Sequence, residues 1–195
     1  MFDHKIIFTG PVGSGKTTAV HTYSEIEPVM TEVKATDSTK NKKESTTVAL
    51  DYGAVTLDEE TKIHLYGTPG QERFEFMWDI LGTGSHGLVL LIDHTDPDPL
   101  SSMRFYLEKF SQLVKSVPFV VGINKFDSPA PHSLAYEDYV EAAHQFDPNI
   151  EVFNVDIRKE EDVRMLIMVL LFAVPRDIHD ENDKSSFNGD NCEKG

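Results

Sequence analysis

Apolar positions fall along this chain in short blocks separated by stretches of helical period. The block Ile6-Ile7-Phe8 predicts a buried parallel strand over His4 to Thr9, followed by a helix from Lys16 to about Glu25. Glu27 to Ser45 opens at Pro28, is polar and dotted with lysine, and keeps no period, so it predicts a long mobile loop. Thr46 to Leu57 alternates, Asp58-Glu59-Glu60 turns, and Lys62 to Tyr66 continues, which is the pattern of a hairpin. Gly67-Thr68-Pro69-Gly70 breaks the second strand, and a helix is expected from about Arg73 to Leu81. Two continuous apolar runs, Gly87 to Asp93 and Pro118 to Ile123, predict central strands covered on both faces, with a helix over Pro99 to Lys115 between them. Ser133 is placed to cap a helix ending near Phe146, and Ile150 to Val155 reads as a sixth strand. A last helix starts on Glu160-Glu161-Asp162, whose charges suit its positive end, and stops at Pro175.

Strands alternating with helices after one hairpin predict an α/β fold, a doubly wound and mostly parallel six-stranded sheet with one antiparallel edge hairpin. Length agrees, since 195 residues fit one domain, expected over residues 1–175. Residues 176–195 are rich in Asp, Asn, Ser, Lys and Gly and read as a disordered acidic tail. The net charge of −15 argues against a nucleic-acid surface and against attachment to anionic membranes, both of which need clustered Lys and Arg. The one cysteine, Cys192, has no internal partner, which suits a reducing cytoplasm. The longest apolar run, Met165 to Val174, is short of the roughly 18 residues of a membrane span. The start M-F-D-H-K has no signal-peptide core, and the residues after Cys192 do not suit prenylation.

Chemistry concentrates just after the first strand. Gly10 to Thr17 reads G-P-V-G-S-G-K-T, a phosphate-binding loop between a predicted strand and a predicted helix. Gly13 and Gly15 permit dihedrals closed to other residues, so the N–H groups from Gly13 through Ser14 to Thr17 can converge on phosphate oxygens. Lys16 brings a point charge to the β- and γ-phosphates, and the Thr17 hydroxyl suits Mg²⁺. Asn124-Lys125-Phe126-Asp127 follows a strand end, where the aspartate can accept from N1–H and the exocyclic amine of guanine, which adenine does not present. Asn124 can brace neighbouring loops, and the Lys125 stem can lie over the base. In Gly67-Thr68-Pro69-Gly70-Gln71-Glu72, the Gly70 N–H is expected at the γ-phosphate and Gln71 at an attacking water. Thr47, where a strand leaves the polar loop, offers a hydroxyl and carbonyl to Mg²⁺ and the γ-phosphate.

In this order and spacing, G-P-V-G-S-G-K-T, T-V-A-L-D-Y, G-T-P-G-Q-E and N-K-F-D resemble the Ras-like small GTPases with their P-loop NTPase fold. More narrowly, T-T-V-A-L-D-Y-G followed by L-Y-G-T-P-G-Q-E-R-F-E-F-M-W is similar to the prokaryotic branch encoded beside roadblock-type proteins, the conservon-type GTPases and more distantly the gliding-polarity GTPases. The resemblance implies GTP/GDP and Mg²⁺ binding, a nucleotide switch and roadblock-fold regulatory partners. It places nucleotide contacts at Gly13, Ser14, Gly15, Lys16, Thr17, Thr18, Gly70, Asn124, Lys125 and Asp127, with the Ile157 backbone in the usual S-A-K loop, written here Asp156-Ile157-Arg158. Metal contacts would fall to Thr17 and Thr47, and catalysis to Gln71, Lys16 and Thr47.

Three departures bear on activity. Gly67 stands where relatives carry the aspartate that holds a Mg²⁺-bound water, so Mg²⁺ is held more weakly or Asp37, Asp51 or Asp93 substitutes. Val12 replaces a common glycine and, by crowding Gln71, implies slow hydrolysis. An arginine finger is worth about 10³- to 10⁵-fold, yet the loop from Glu27 to Ser45 has none, leaving Arg73 or a partner to supply it. Phe74, Phe76, Met77, Trp78 and Ile80 cannot all share one helix face, so a nucleotide-dependent effector surface is expected over residues 68–81, with Phe74 and Trp78 as anchors. The expected function is a slowly hydrolysing GTP switch. The alternative is a guanine-nucleotide-bound scaffold with little hydrolysis, and an ATP-dependent kinase is disfavoured by N-K-F-D.

Overall fold

The computed structural model describes residues 2–27, 29–36, 45–70, 82–111 and 117–173, with the backbone alone for 29–36 and 45–49. The strands are β1 (Phe2–Thr9), β2 (Val29–Thr36), β3 (Ser45–Thr56), β4 (Thr61–Gly67), β5 (Gly87–Asp93), β6 (Phe119–Asn124) and β7 (Glu151–Val155). The helices described are α1 (Lys16–Tyr23), α2 (Pro99–Lys109), α3 (Tyr136–Phe146) and α4 (Glu160–Ala173).

All six expected strands form, and they join one sheet of order β2-β3-β4-β1-β5-β6-β7. Neighbours from β4 to β7 run parallel, while β2–β3 and β3–β4 are antiparallel. The seventh strand corrects the expectation of a mobile loop from Glu27 to Ser45. Val29–Thr36 pairs with β3 along its whole length, Val29 opposite Tyr52 and Thr36 opposite Ser45. Pairing with an existing strand supplies the backbone partners that the segment's polar side chains do not advertise.

Helices cover both faces, which is why the central strands read as unbroken apolar runs. On β5, Leu88, Leu90 and Ile92 face Met103, Leu107 and Tyr139 of α2 and α3. Val89 and Leu91 face the other way, toward Ala19 and Val20 of α1 and Leu166, Ile167 and Leu170 of α4. Each such fully buried aliphatic contributes about 1.5–3 kcal/mol relative to exposure. The resulting sandwich fixes the carboxyl ends of β1, β5 and β6, the edge where a doubly wound sheet gathers ligands.

Element ends differ in places from expectation. The α2 helix ends at Lys109 rather than Lys115, with residues 112–116 outside the described set. Ser133 is not the cap of α3. That helix begins at Tyr136 on Ala135, whose N–H donates to Asp138 Oδ2 at 2.7 Å. The expected helix over 73–81 and the tail beyond 175 lie outside the described residues. Among those described, no helix is long and apolar enough to cross a membrane.

Candidate functional site

The loop between β1 and α1 is shaped by three glycines with positive φ: Gly10 (137°), Gly13 (84°) and Gly15 (105°). At Gly10 space decides as well as dihedral, since an added Cβ would lie 2.1 Å from the Leu91 carbonyl oxygen. At Gly15 it would lie 2.9 Å from both Asn124 Nδ2 and Ile157 Cδ1. Gly15 is the N-cap of α1, with no side-chain cap and no acidic residue in the first turn. The helix's positive end and first N–H groups are thereby left facing the loop, the arrangement that suits an anion. Ser14 is fully buried and its N–H donates to Pro11 O at 3.3 Å, while Thr17 and Thr18 are exposed at the mouth.

Lys16 is 7 % exposed, and its ammonium donates to Gly10 O at 2.8 Å and Pro11 O at 2.6 Å. Burial pulls its pKa down to about 8, against an opposing pull from the Asp51 charge. Gly70 closes over this ammonium. A Cβ there would sit 2.7 Å from Val12 N and 2.8 Å from Lys16 Nζ, so the turn after β4 is pressed onto the phosphate loop. Two further contacts hold it: Thr68 N–H donates to Phe8 O at 2.9 Å, and Tyr106 of α2 donates its hydroxyl proton to Gly70 O at 3.1 Å. Val12 stands 69 % exposed beside this contact. Gln71 and Arg73 lie outside the described residues, as do Phe74 and Trp78.

Thr17 Oγ1 donates to Asp51 Oδ2 at 2.6 Å. Thr47 lies in β3 opposite Lys34 of β2. Four residues of extended strand separate it from Asp51, about 13 Å at the usual rise. The structure thus brings Asp51 to Thr17 and leaves Thr47 further along the strand.

At the other end, β6 delivers Asn124, whose Nδ2 donates to Ser14 O at 3.1 Å and whose Oδ1 accepts from Lys125 N–H at 3.0 Å. Lys125 is the one described non-glycine residue with positive φ, 60°. That left-handed turn carries its ammonium to Gly13 O at 3.3 Å and onto the Asp93 carboxylate. Burial works against the Asp93 charge, yet Lys125 and Thr95 more than offset it and hold the carboxyl below its usual range. Beyond the turn a cavity of about 190 Å³ is lined by Lys125, Phe126, Asp127, Asn154, Asp156 and Arg158. Asp156 is bound by the Arg158 guanidinium and held at about 2 by it. Ile157, expected to act through its backbone, also packs its buried side chain beneath Gly15.

Sequence reasoning missed the support behind this loop. The His94 backbone N–H donates to Asn124 O at 2.9 Å, its ring Nδ1 shares a 2.9 Å hydrogen bond with the Tyr139 hydroxyl, and the ring lies 4.5 Å from the Phe126 ring at a tilt of 40°. Burial lowers the pKa of His94, and the nearby His132 adds to the effect. Neither His94 nor Tyr106 belongs to a motif, so only the packing reveals them.

A glycine-rich loop with a buried lysine, joined by Asn124 to a cavity that Asp127 lines, fits a nucleotide. Residues 8–185 match a family described as conserved hypothetical ATP binding protein. The chain is 28 % identical to the Ras-related protein RabC of Dictyostelium discoideum over 73 % of its own length and 69 % of that protein. It is 32 % identical to the Ras-related protein Rab-7b of Mus musculus over 64 % of itself and 60 % of that protein. An uncharacterised protein of Methanocaldococcus jannaschii is 35 % identical over 42 % of this chain and half of its own length. The chain therefore spans between half and about two thirds of these relatives. Together they support a nucleotide-binding protein of small-GTPase type.

Proposed function

The chain belongs to the conserved hypothetical ATP binding protein family, and on that premise we propose that its nucleotide is guanine and that it is a switch hydrolysing GTP slowly to GDP and phosphate. The carrying observation is the β6 end, where Asn124 ties the base loop to Ser14 and the left-handed Lys125 turn sets Asp127 on the cavity wall. A carboxylate accepts from the N1–H and amine of guanine but meets an acceptor at N1 of adenine, so the site chemistry favours GTP over the ATP of the family's description.

In this reading the N–H groups from Gly13 to Thr18 and the Lys16 ammonium bind the phosphates, Gly70 N–H senses the γ-phosphate, and Gln71 orients the water that attacks it. Thr17 fits a metal-holding role, with its hydroxyl exposed at the loop mouth. When bound, Mg²⁺ neutralises charge on the β- and γ-phosphates. Thr47 joins the site only if the first half of β3 leaves its register with β2, which makes that edge the moving part of the switch. Residues 68–81 then present the nucleotide state to an effector, and a roadblock-fold protein is the proposed regulator in a cytoplasmic setting.

A second reading, a guanine-nucleotide-bound scaffold, is favoured by Val12 beside Gly70 and by the absence of arginine from residues 27–45. Two measurements decide. In competition with a fluorescent GDP, unlabelled GTP should displace it and ATP should not, and the reverse order refutes the guanine assignment. Single-turnover hydrolysis with Mg²⁺ should show slow conversion that disappears in Gln71→Ala. Tight binding without conversion selects the scaffold.

A further inference from the structure

We propose that His132 and His94 form a proton-operated latch behind the base loop, so that binding of a guanine nucleotide weakens in acid. The proposal rests on the guanine reading above and adds a regulation of that same site. His94 follows β5 and is 6 % exposed. Its backbone N–H continues the β5–β6 pairing to Asn124 O, at the first residue of N-K-F-D. Its ring lies 4.5 Å from that of Phe126, which stands between Lys125 and Asp127 on the cavity wall. Phe126 also meets Tyr136 and Tyr139 of α3 edge-on, at 6.4 and 6.5 Å. The loop is thus seated on His94 by backbone and by side chain.

His132 holds His94 from the other side, and the surroundings of its two ring nitrogens leave no place for a second proton. Nε2 lies 2.9 Å from the His94 carbonyl oxygen, which only accepts, so Nε2 carries the proton. Nδ1 lies 3.3 Å from the Leu134 N–H, which only donates, so Nδ1 is bare. Both backbone contacts therefore require the neutral ring. A proton added at Nδ1 would oppose the Leu134 N–H and set an imidazolium edge-on to the His94 ring, 4.9 Å away. His94 is also held neutral. Its Nδ1 meets the Tyr139 hydroxyl at 2.9 Å, a donor that burial keeps protonated. Burial and then His132 lower the His94 pKa, against a smaller upward pull from Asp93. Charges face the pair from each element around it: Asp93 at the end of β5, paired with Lys125 of the turn after β6, Asp96 and Asp98 before α2 with Arg104 beside Asp98, and Asp138 of α3. Those carboxylates make an imidazolium attainable, at the cost of the contacts that need the neutral ring. His132 is half-buried, so water reaches it. Histidine ordinarily changes charge between about pH 5 and 8. The form that seats the loop carries fewer protons, so affinity falls as the pH drops through that range.

Isothermal titration of GDP at about pH 7.5 and about pH 5.5, on the full chain and on His132→Gln, tests the latch. The Gln amide keeps a donor for the His94 carbonyl and does not titrate in this range. On acidification the parent should lose about fivefold more GDP affinity than His132→Gln, the worth of one hydrogen bond. Both proteins meet the same ligand, so protonation of its phosphates cancels in the comparison. Equal losses in the two proteins overturn the latch. If His132→Gln melts early, the parent decides alone: GDP should lose more affinity in acid than pyrophosphate, which has no base, and parallel losses overturn the latch too. Failure of the parent to bind GDP or GTP at about pH 7.5 overturns the guanine reading and the latch with it. Firm GDP binding with the same pH profile in parent and variant removes the latch alone.

Discussion

Lys16 is the residue whose chemistry is most exposed to test. Its folded pKa of about 8 lies below the ordinary lysine value of 10.5 because burial disfavours the charge. Between those two values the unfolded chain binds more protons than the folded one, so stability rises with pH across that window. Below pH 8 the full cost of the buried charge is present, roughly 3 kcal/mol at most. Urea unfolding at pH 7 and pH 10 should show the native chain gaining stability relative to Lys16→Met, and equal pH slopes in the two would contradict the burial. Phosphate oxygens reverse the preference by favouring the ammonium, so the Lys16 contribution to nucleotide affinity should hold steady below pH 8 and decline above it.

Among the elements, α2 and the turn after β4 meet in the hydrogen bond from the Tyr106 hydroxyl to Gly70 O. Tyr106→Phe keeps the ring against Phe105 and Phe110 and removes only the hydroxyl. A single such bond is worth about 1 kcal/mol, so residues 68–70 should open about fivefold more often. Amide exchange should quicken there and stay unchanged over Leu88–Asp93. The hairpin beside that turn shows how far the sequence could be read. Its strands and turn were legible, and with them the register, since Asp51 and Gly67 lie equally far on either side of Glu59. The pairing of those two residues was within reach of counting, but whether Asp37, Asp51 or Asp93 stands near Thr17 depends on how β3 packs against α1. The β2 strand was missed for another reason. Val29, Thr31, Val33 and Ala35 do alternate with Met30, Glu32, Lys34 and Thr36, but Pro28 and the lysines masked a period that becomes decisive only once β3 offers a partner. The phosphate loop and N-K-F-D were legible because fixed spacing on consecutive residues encodes them. Tyr106 and His94 were not, because their partners are remote in sequence.

At the scale of the whole molecule, the two ends of the site are one construction. Asn124 and Ile157, from the proposed base side, pack under Gly15, and Asn124 donates to Ser14 O. Asn124→Ala should therefore weaken binding of pyrophosphate, which has no base, by about fivefold for one lost hydrogen bond. Asp127→Ala should leave pyrophosphate unaffected while costing GDP roughly 10- to 100-fold. Isothermal titration of both ligands on both variants separates a brace from a base contact, and equal pyrophosphate affinity in all three proteins would show the ends to be independent. The tie between Asn124 and Ser14 carries a consequence for how such a nucleotide leaves. In the proposed reading, base and phosphates would not be shed in sequence through two separate doors, because loosening either loop would slacken its neighbour. An exchange factor would need to grip only one of them, prising at the base loop to spill the phosphates.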